Sequence, residues 1–351
     1  MAESRRVALA LGSGGARGYA HIGVIEVLLE RGFEIVSIAG SSMGAAIGGL
    51  HAAGVLDQYT EWVSSLTQRD VIRLLDPALK APGAIRAEKI MARMSELLHG
   101  ARIEDLPIPY TAVATDLLQR REVWFQSGPV DVAIRASIAL PSFITPVMLN
   151  GRLLADGGLL NPVPVAPTAG ARADLTIGVV LSGDDPAGRR STPELESAEP
   201  RHGDEGLERF RRTAAQVFDR DFIRMITHRF SNARGNAADS GDGQALEEVF
   251  GELPTGLRMF DVMQLSIDVM QRLVSDYRLA GYPADLYITI PKTSARVLDF
   301  HRAVELIALG RDLTTAALDT AGYGPSESED EEEAPDRDDG GAPPAIPTSL
   351  Q

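Results

Sequence analysis

Within the first 53 residues of this 351-residue chain the same local order occurs twice: a short apolar run, a glycine-flanked turn, then a helical pattern. The runs are 7-VALAL-11 and 35-IVSIA-39, and the helical patterns are 19-YAHIGVIEVLLERG-32 and a stretch from Ser42 to about Ala53. Strands joined through helices pair in parallel, because the crossover carries the chain back to the starting edge of the sheet. Such a sheet is covered on both faces, so its strands read as continuous apolar runs rather than alternating ones. Later strand patterns fall at 110-YTAVAT-115, 122-EVWFQ-126, 152-RLLA-155, 175-LTIGVVL-181 and 285-DLYITI-290. Helical patterns fill 56–75, 87–98, 131–139, 206–231, 257–280 and 300–320. The expected fold is therefore α/β, a mostly parallel central sheet flanked by helices on both faces, with an α-helical C-terminal part.

Both early turns have chemical content. The second, 40-GSSMGA-45, places Gly40, Ser42 and Gly44 in the glycine–any–serine–any–glycine spacing of a nucleophile elbow, where a sharp strand-to-helix turn presents an exposed hydroxyl. The first, 12-GSGGARG-18, invites a nucleotide reading that fails on its residues. The dinucleotide fingerprint needs a sixth-position glycine where Arg17 stands, and a P-loop needs a lysine, the first of which is Lys80. What remains is a row of backbone N–H groups at a helix start beside Arg17, a place that favours negative charge, including a developing oxyanion. The plainer alternative is that Gly14, Gly15 and Gly18 permit tight strand–helix packing.

A serine hydroxyl needs a base within hydrogen-bond reach. The six histidines are His21, His51, His99, His202, His228 and His301. His51 lies on the serine's own helix about 13 Å further along, and His21 reads as a packing or capping residue of the first helix. His99 sits at a helix end, His202 in an acidic loop and His228 among arginines; His301 would complete a Ser–Asp–His order but opens an amphipathic helix. The other candidate is a carboxylate. Asp156 ends a short strand in 153-LLADGGLLNPVPV-165, directly before Gly157 and Gly158, although Asp-Gly is equally a turn signal.

Three stretches join these pieces: 11-LGSGGARGYAHIGVIEVL-28, 38-IAGSSMGAAIGGLHAAG-54 and 133-AIRASIALPSFITPVMLNGRLLADGGLLNPVPV-165. Together they resemble the patatin-like phospholipase family, of the bacterial neuropathy-target-esterase type. The resemblance implies a Ser–Asp dyad without histidine, with Ser42 as nucleophile and Asp156 as general base. It implies an oxyanion hole from the N–H groups of Gly14, Gly15 and Ala16, supported by Gly12, Arg17 and Gly18. The implied activity is acyl-ester hydrolysis of (lyso)phospholipids or related lipids through an acyl-enzyme, with no metal or cofactor. Acyl transfer or thioester cleavage on the same dyad, or a silent lipid-binding protein, are the alternatives. Ser13 departs from the run of glycines usual in the family's first loop, which is harmless provided that position needs no left-handed backbone.

The resemblance covers about residues 5–182, read as the catalytic core, and 277-YRLAGYPADLYITIPKTSARVLDFHRAVELIALG-310 looks like the family's C-terminal part. Residues 183–256 read as an acidic, partly disordered loop with a helical insert, and 257–322 as helices plus a strand that complete the domain. The net charge of −15 is concentrated in the tail 323–351, where nine carboxylates face one arginine after Tyr323; its composition predicts disorder. An acidic chain argues against nucleic acid as a partner. The absence of cysteine excludes disulfide frameworks and thiol catalysis and fits a reducing cytosol. Neither a secretion signal nor an apolar window of about 18 residues is expected, so the placement read from the sequence is cytoplasmic, with a peripheral membrane contact compatible with a lipid substrate. The stretch 138-IALPSFITPVML-149 reads mostly as core, with an acyl-pocket lining as its second reading. Oligomeric state leaves no trace in the sequence.

Overall fold

The structure, a computed structural model, describes residues 5–74, 83–85, 87–183 and 259–324. The helical pattern at 206–231, the acidic stretch after Gly183 and the tail after Gly324 lie outside the described residues.

The elements in chain order are β1 (Arg6–Leu11), α1 (Ala20–Glu30), β2 (Glu34–Ser41), α2 (Met43–Ala52), α3 (Leu56–Ser64), α4 (Gln68–Leu74), β3 (Gly83–Ile85) and α5 (Glu88–Leu98). They continue as β4 (Tyr110–Asp116), β5 (Arg121–Phe125), α6 (Val130–Ser137), β6 (Ser142–Ile144), β7 (Val147–Leu149), β8 (Arg152–Asp156) and β9 (Leu175–Gly183). After the undescribed segment come α7 (Met259–Gly281), β10 (Leu286–Pro291) and α8 (Ala303–Thr320).

Eight strands form the main sheet in the order β10-β9-β1-β2-β4-β8-β7, with β5 also paired to β4. The five strands from β10 to β4 are parallel, as the alternating strand–helix order requires. The strands β5, β7 and β8 add antiparallel pairings at the far side. Side chains alternate across the sheet. Val7, Leu9 and Leu11 of β1 enter the large core formed with α1, α2 and α8, whereas Ala10 faces a second cluster with Val163, Val165 and Leu279 of α7. Each fully buried Leu or Ile in the large core, such as Leu9, Ile38, Ile47 and Leu50, contributes roughly 1.5–3 kcal/mol.

One feature of the pairing positions the site. The first half of β4 pairs with β2, ending at Ser41 opposite Val113, and its second half pairs with β8, starting at Asp156 opposite Ala114. Because β5 occupies the other edge of β4 over the same residues, β2 and β8 share one edge and meet end to end. The carboxyl ends of a parallel and an antiparallel strand are thereby brought together. Among the described residues no helix is long and apolar enough to cross a membrane.

Candidate active site

Ser42 sits between the last residue of β2 and the first of α2, with φ 54° and ψ −122°. A residue with a side chain is strained there, at a cost of order 1–3 kcal/mol, and persists only where its surroundings over-determine it. Two contacts do so. The Ser42 N–H donates to Ser137 Oγ at 2.9 Å, and that hydroxyl donates in turn to the Val113 carbonyl at 2.6 Å. Gly44, one helical step on, is pressed against β1: a Cβ at that position would lie 2.0 Å from the Leu11 carbonyl oxygen. The turn is thus wedged against backbone on one side and tied to a buried hydroxyl on the other.

Asp156 ends β8 and is 1% exposed. Its Oδ2 accepts the Ser42 hydroxyl at 2.6 Å, and its Oδ1 accepts the Gly158 N–H at 2.7 Å. The backbone on either side is held as well, the Asp156 N–H donating to the Ala139 carbonyl at 2.9 Å and the Thr115 hydroxyl to the Asp156 carbonyl at 2.9 Å. Burial pushes the carboxyl from its ordinary 3.8 up to about 6, while the bonds from Ser42 and Gly158 pull the other way. A carboxylate so placed is still ionised at neutral pH and can accept a proton from the hydroxyl it already holds.

The glycine loop runs past the same corner. Its Gly12 N–H is spent on the Val179 carbonyl at 3.0 Å and its Ser13 N–H on the Pro162 carbonyl at 2.8 Å. The Ala16 N–H donates to the Val297 carbonyl at 2.9 Å, so in this structure the hydrogen expected to face an oxyanion already has an acceptor in the loop after β10. No acceptor among the described residues takes the N–H of Gly14 or Gly15. Gly15 has φ +58°, a left-handed conformation suited to glycine, while Ser13 is not in that region. The Ser13 side chain instead occupies the space beside Gly158, where an added Cβ would come within 2.2 Å of Ser13 Oγ. Arg17 is buried and braces the loop from within, its Nε donating to the Gly14 carbonyl at 3.2 Å and its Nη1 to the Lys292 carbonyl at 3.0 Å.

Beside Ser42 opens a cleft whose other walls are apolar or aromatic: Tyr59 and Trp62 of α3, Val71 of α4, Met94 of α5, and Phe143 and Phe300. Ile138 and Leu140 from the stretch 138–149 also line it, while Ile138 and Ala139 are buried in the core as well. A hydroxyl held by a carboxylate at the rim of such a cleft is suited to attack a carbonyl whose apolar substituent lies within.

A family model described as patatin-like phospholipase matches residues 9–169. An uncharacterized NTE family protein of Mycobacterium tuberculosis (strain H37Rv) is 49% identical over 338 residues, covering 90% of this chain and 92% of that one. The chain belongs to the patatin-like phospholipase family. Membership supports lipid hydrolase activity in general. The human patatin-like phospholipase domain-containing protein 6 is 32% identical over 186 residues, which span 49% of this chain and 13% of that protein. The crystal structure of VipD from Legionella pneumophila matches with a TM-score of 0.46 at 15% identity, over 91% of this chain and 67% of that one.

In this patatin-like chain the described histidines stay apart from the Ser42–Asp156 hydrogen bond. No histidine among the described residues is hydrogen-bonded to Ser42 or Asp156. His21 is fully buried against the Gly12 carbonyl, His51 lies in the last turn of α2, His99 caps α5 in a left-handed conformation, and His301 sits in a 3-10 turn before α8. His202 and His228 lie outside the described residues. Sequence reasoning missed Ser137, whose place inside 133-AIRASIALP-141 has nothing to mark it as the partner of the Ser42 amide. It also missed the brace behind the Asp156 turn. There Ser41 Oγ donates to the Asn161 carbonyl at 2.6 Å, Asn161 Nδ2 to Glu122 Oε2 at 2.8 Å, and Gln271 of α7 to the Gly158 carbonyl at 3.0 Å. The asparagine does stand in the quoted 153–165 motif, so a signal was present.

Proposed function

We propose that the protein is a serine acyl-ester hydrolase that cleaves fatty-acyl esters of (lyso)phospholipids or related lipids with a Ser42–Asp156 dyad. The observation that carries this reading is the 2.6 Å hydrogen bond from Ser42 Oγ to Asp156 Oδ2 at the edge of an apolar cleft. Asp156 takes the Ser42 proton as Oγ attacks the ester carbonyl. The tetrahedral oxyanion is received by the N–H groups of Gly14 and Gly15, each such donor typically worth about 2.7–4 kcal/mol. Collapse breaks the bond to the alcohol oxygen, which leaves with the proton that Asp156 holds. A water molecule then gives its proton to Asp156 and attacks the acyl-enzyme, and Ser42 recovers its proton as the fatty acid departs. The apolar cleft receives the acyl chain and the head group stays outside, which accounts for a lipid rather than a small polar ester as substrate.

The test is a fluorophosphonate probe combined with fatty-acid release from a panel of lysophospholipids and diacyl phospholipids. Wild type is expected to be labelled and to release fatty acid, and Ser42→Ala to do neither. Release by Ser42→Ala at the wild-type rate, or an unlabelled wild type that still turns over lipid, overturns the assignment.

A further inference from the structure

His21 is the second residue of α1, fully buried, and the dyad leaves it without a part in the chemistry. Its Nε2 lies 2.8 Å from the carbonyl oxygen of Gly12, the residue that opens the glycine loop. A carbonyl oxygen only accepts, so the imidazole carries its hydrogen on Nε2 and leaves Nδ1 as a bare acceptor. That buried Nδ1 has no partner among the described residues, an unfavourable state for a polar atom. Burial also lowers the ring's pKa from 6.5 to about 4, the Gly12 bond opposing, so the side chain stays a neutral donor at working pH. A buried polar side chain with one bare nitrogen beside the loop calls for a role, and the geometry gives one.

We propose that His21 is a positioning residue for the oxyanion hole: by holding the Gly12 carbonyl it fixes the plane of the Gly12–Ser13 peptide and so the direction of the Gly14 and Gly15 N–H groups that follow. The two amides upstream in the loop are already anchored, Gly12 N–H to Val179 and Ser13 N–H to Pro162. The His21 bond adds the remaining constraint on the first peptide of the loop, on the side facing α1. A Cβ at Gly44 would come within 2.8 Å of the same Gly12 oxygen, so this carbonyl is held between α1 and the start of α2, the helix that presents Ser42. The inference rests on the proposed Ser–Asp mechanism, in which those N–H groups receive the oxyanion.

The test compares His21→Leu, which removes the donor, with His21→Gln, whose amide reaches the position of Nε2, on a soluble nitrophenyl ester and with a trifluoromethyl ketone inhibitor. For His21→Leu, kcat is expected to fall about 10–100-fold with KM within about twofold, less than the full loss of one oxyanion donor. The inhibitor, which adds to the serine and mimics the tetrahedral state, should weaken in parallel with kcat/KM, and His21→Gln should restore most of both. A folded His21→Leu with wild-type kcat, or a fall in kcat without loss of inhibitor affinity, overturns the proposal. If His21→Leu does not fold, His21→Asn replaces it, because its shorter amide reaches the place of Nδ1 and not the Gly12 oxygen; equal activity in the Gln and Asn variants then refutes the role. Failure of the underlying mechanism is distinguished by Ser42→Ala, which leaves activity intact only in that case.

Discussion

Replacing Asp156 by asparagine keeps the shape of the side chain and removes its charge, so both stability and activity respond in a pH-dependent way. The native carboxyl is held at about 6 against an ordinary 3.8, which penalises the ionised form by about 3 kcal/mol, at 1.36 kcal/mol per tenfold change. The folded state binds this proton more tightly than the unfolded chain does. Its contribution to stability is therefore present at low pH and lost as pH rises from about 4 to about 6, then flat above. Integrated between about pH 4.5 and about pH 7.5, the loss is about 2 kcal/mol. Asp156→Asn has no such slope, so its stability relative to wild type should improve by about 2 kcal/mol over that interval. Urea titrations of both proteins at the two pH values measure this directly, since other carboxylates contribute alike to both and cancel in the difference. In the same variant, turnover of a nitrophenyl ester should fall by about 10²–10⁴-fold, and the wild-type kcat/KM should show an acid limb with an apparent pKa near 6. A stability difference that does not change with pH, or a wild-type rate that is flat through that region, refutes the reading of Asp156 as a desolvated base.

Two further outcomes follow from the packing. Gly158→Ala should abolish most activity, because its Cβ would fall 2.2 Å from Ser13 Oγ, 2.7 Å from Ser13 Cβ and 3.0 Å from Asp156 Oδ1; adding Ser13→Gly removes the first two obstacles and should recover part of the rate in the same ester assay. Met94→Trp should fill the apolar cleft, lowering kcat/KM for long-chain nitrophenyl esters by about tenfold or more while sparing the acetate ester, in keeping with the roughly 1–3 kcal/mol that a few buried methylenes are worth.

The parallel half of the sheet was legible because its strands are short, mostly apolar runs that alternate with helical patterns, and Ser42 and Asp156 stood out because glycines adjoin each of them. Short elements were not. The strands Gly83–Ile85, Ser142–Ile144 and Val147–Leu149 have three residues each, too few to show a period. The pattern over 56–75 read as one helix, yet it divides after Ser64 where Thr67 and Asp70 exchange hydrogen bonds as a capping box, a signal that Thr-Gln-Arg-Asp carries openly. Two facts about the site had no sequence trace. The apolar pattern of β8 does not reveal that it runs antiparallel to β4, and the claim of Val297 on the Ala16 N–H depends on a contact made by the tertiary fold.

The proposed choice of Asp156 as base has a physical reason that the two buried titratable groups beside the loop make visible. In water an imidazole is the better base near neutrality, at 6.5 against 3.8 for aspartate. Desolvation acts on the charged form of each: for the carboxyl that is the deprotonated state, for the imidazole the protonated one. The same interior therefore moves them in opposite directions, Asp156 up to about 6 and His21 down to about 4, and the ordinary ranking is inverted. An imidazole as deeply buried as Asp156, without a second carboxylate to stabilise its cation, would hold an abstracted proton less well than the aspartate does. The carboxylate gains basicity from burial alone, and its second oxygen needs just one backbone donor, the Gly158 N–H, to fix its orientation. Under the proposed mechanism a dyad thus suffices where a triad would need another buried charge, and the neutral His21 is left free for the donor role proposed for it.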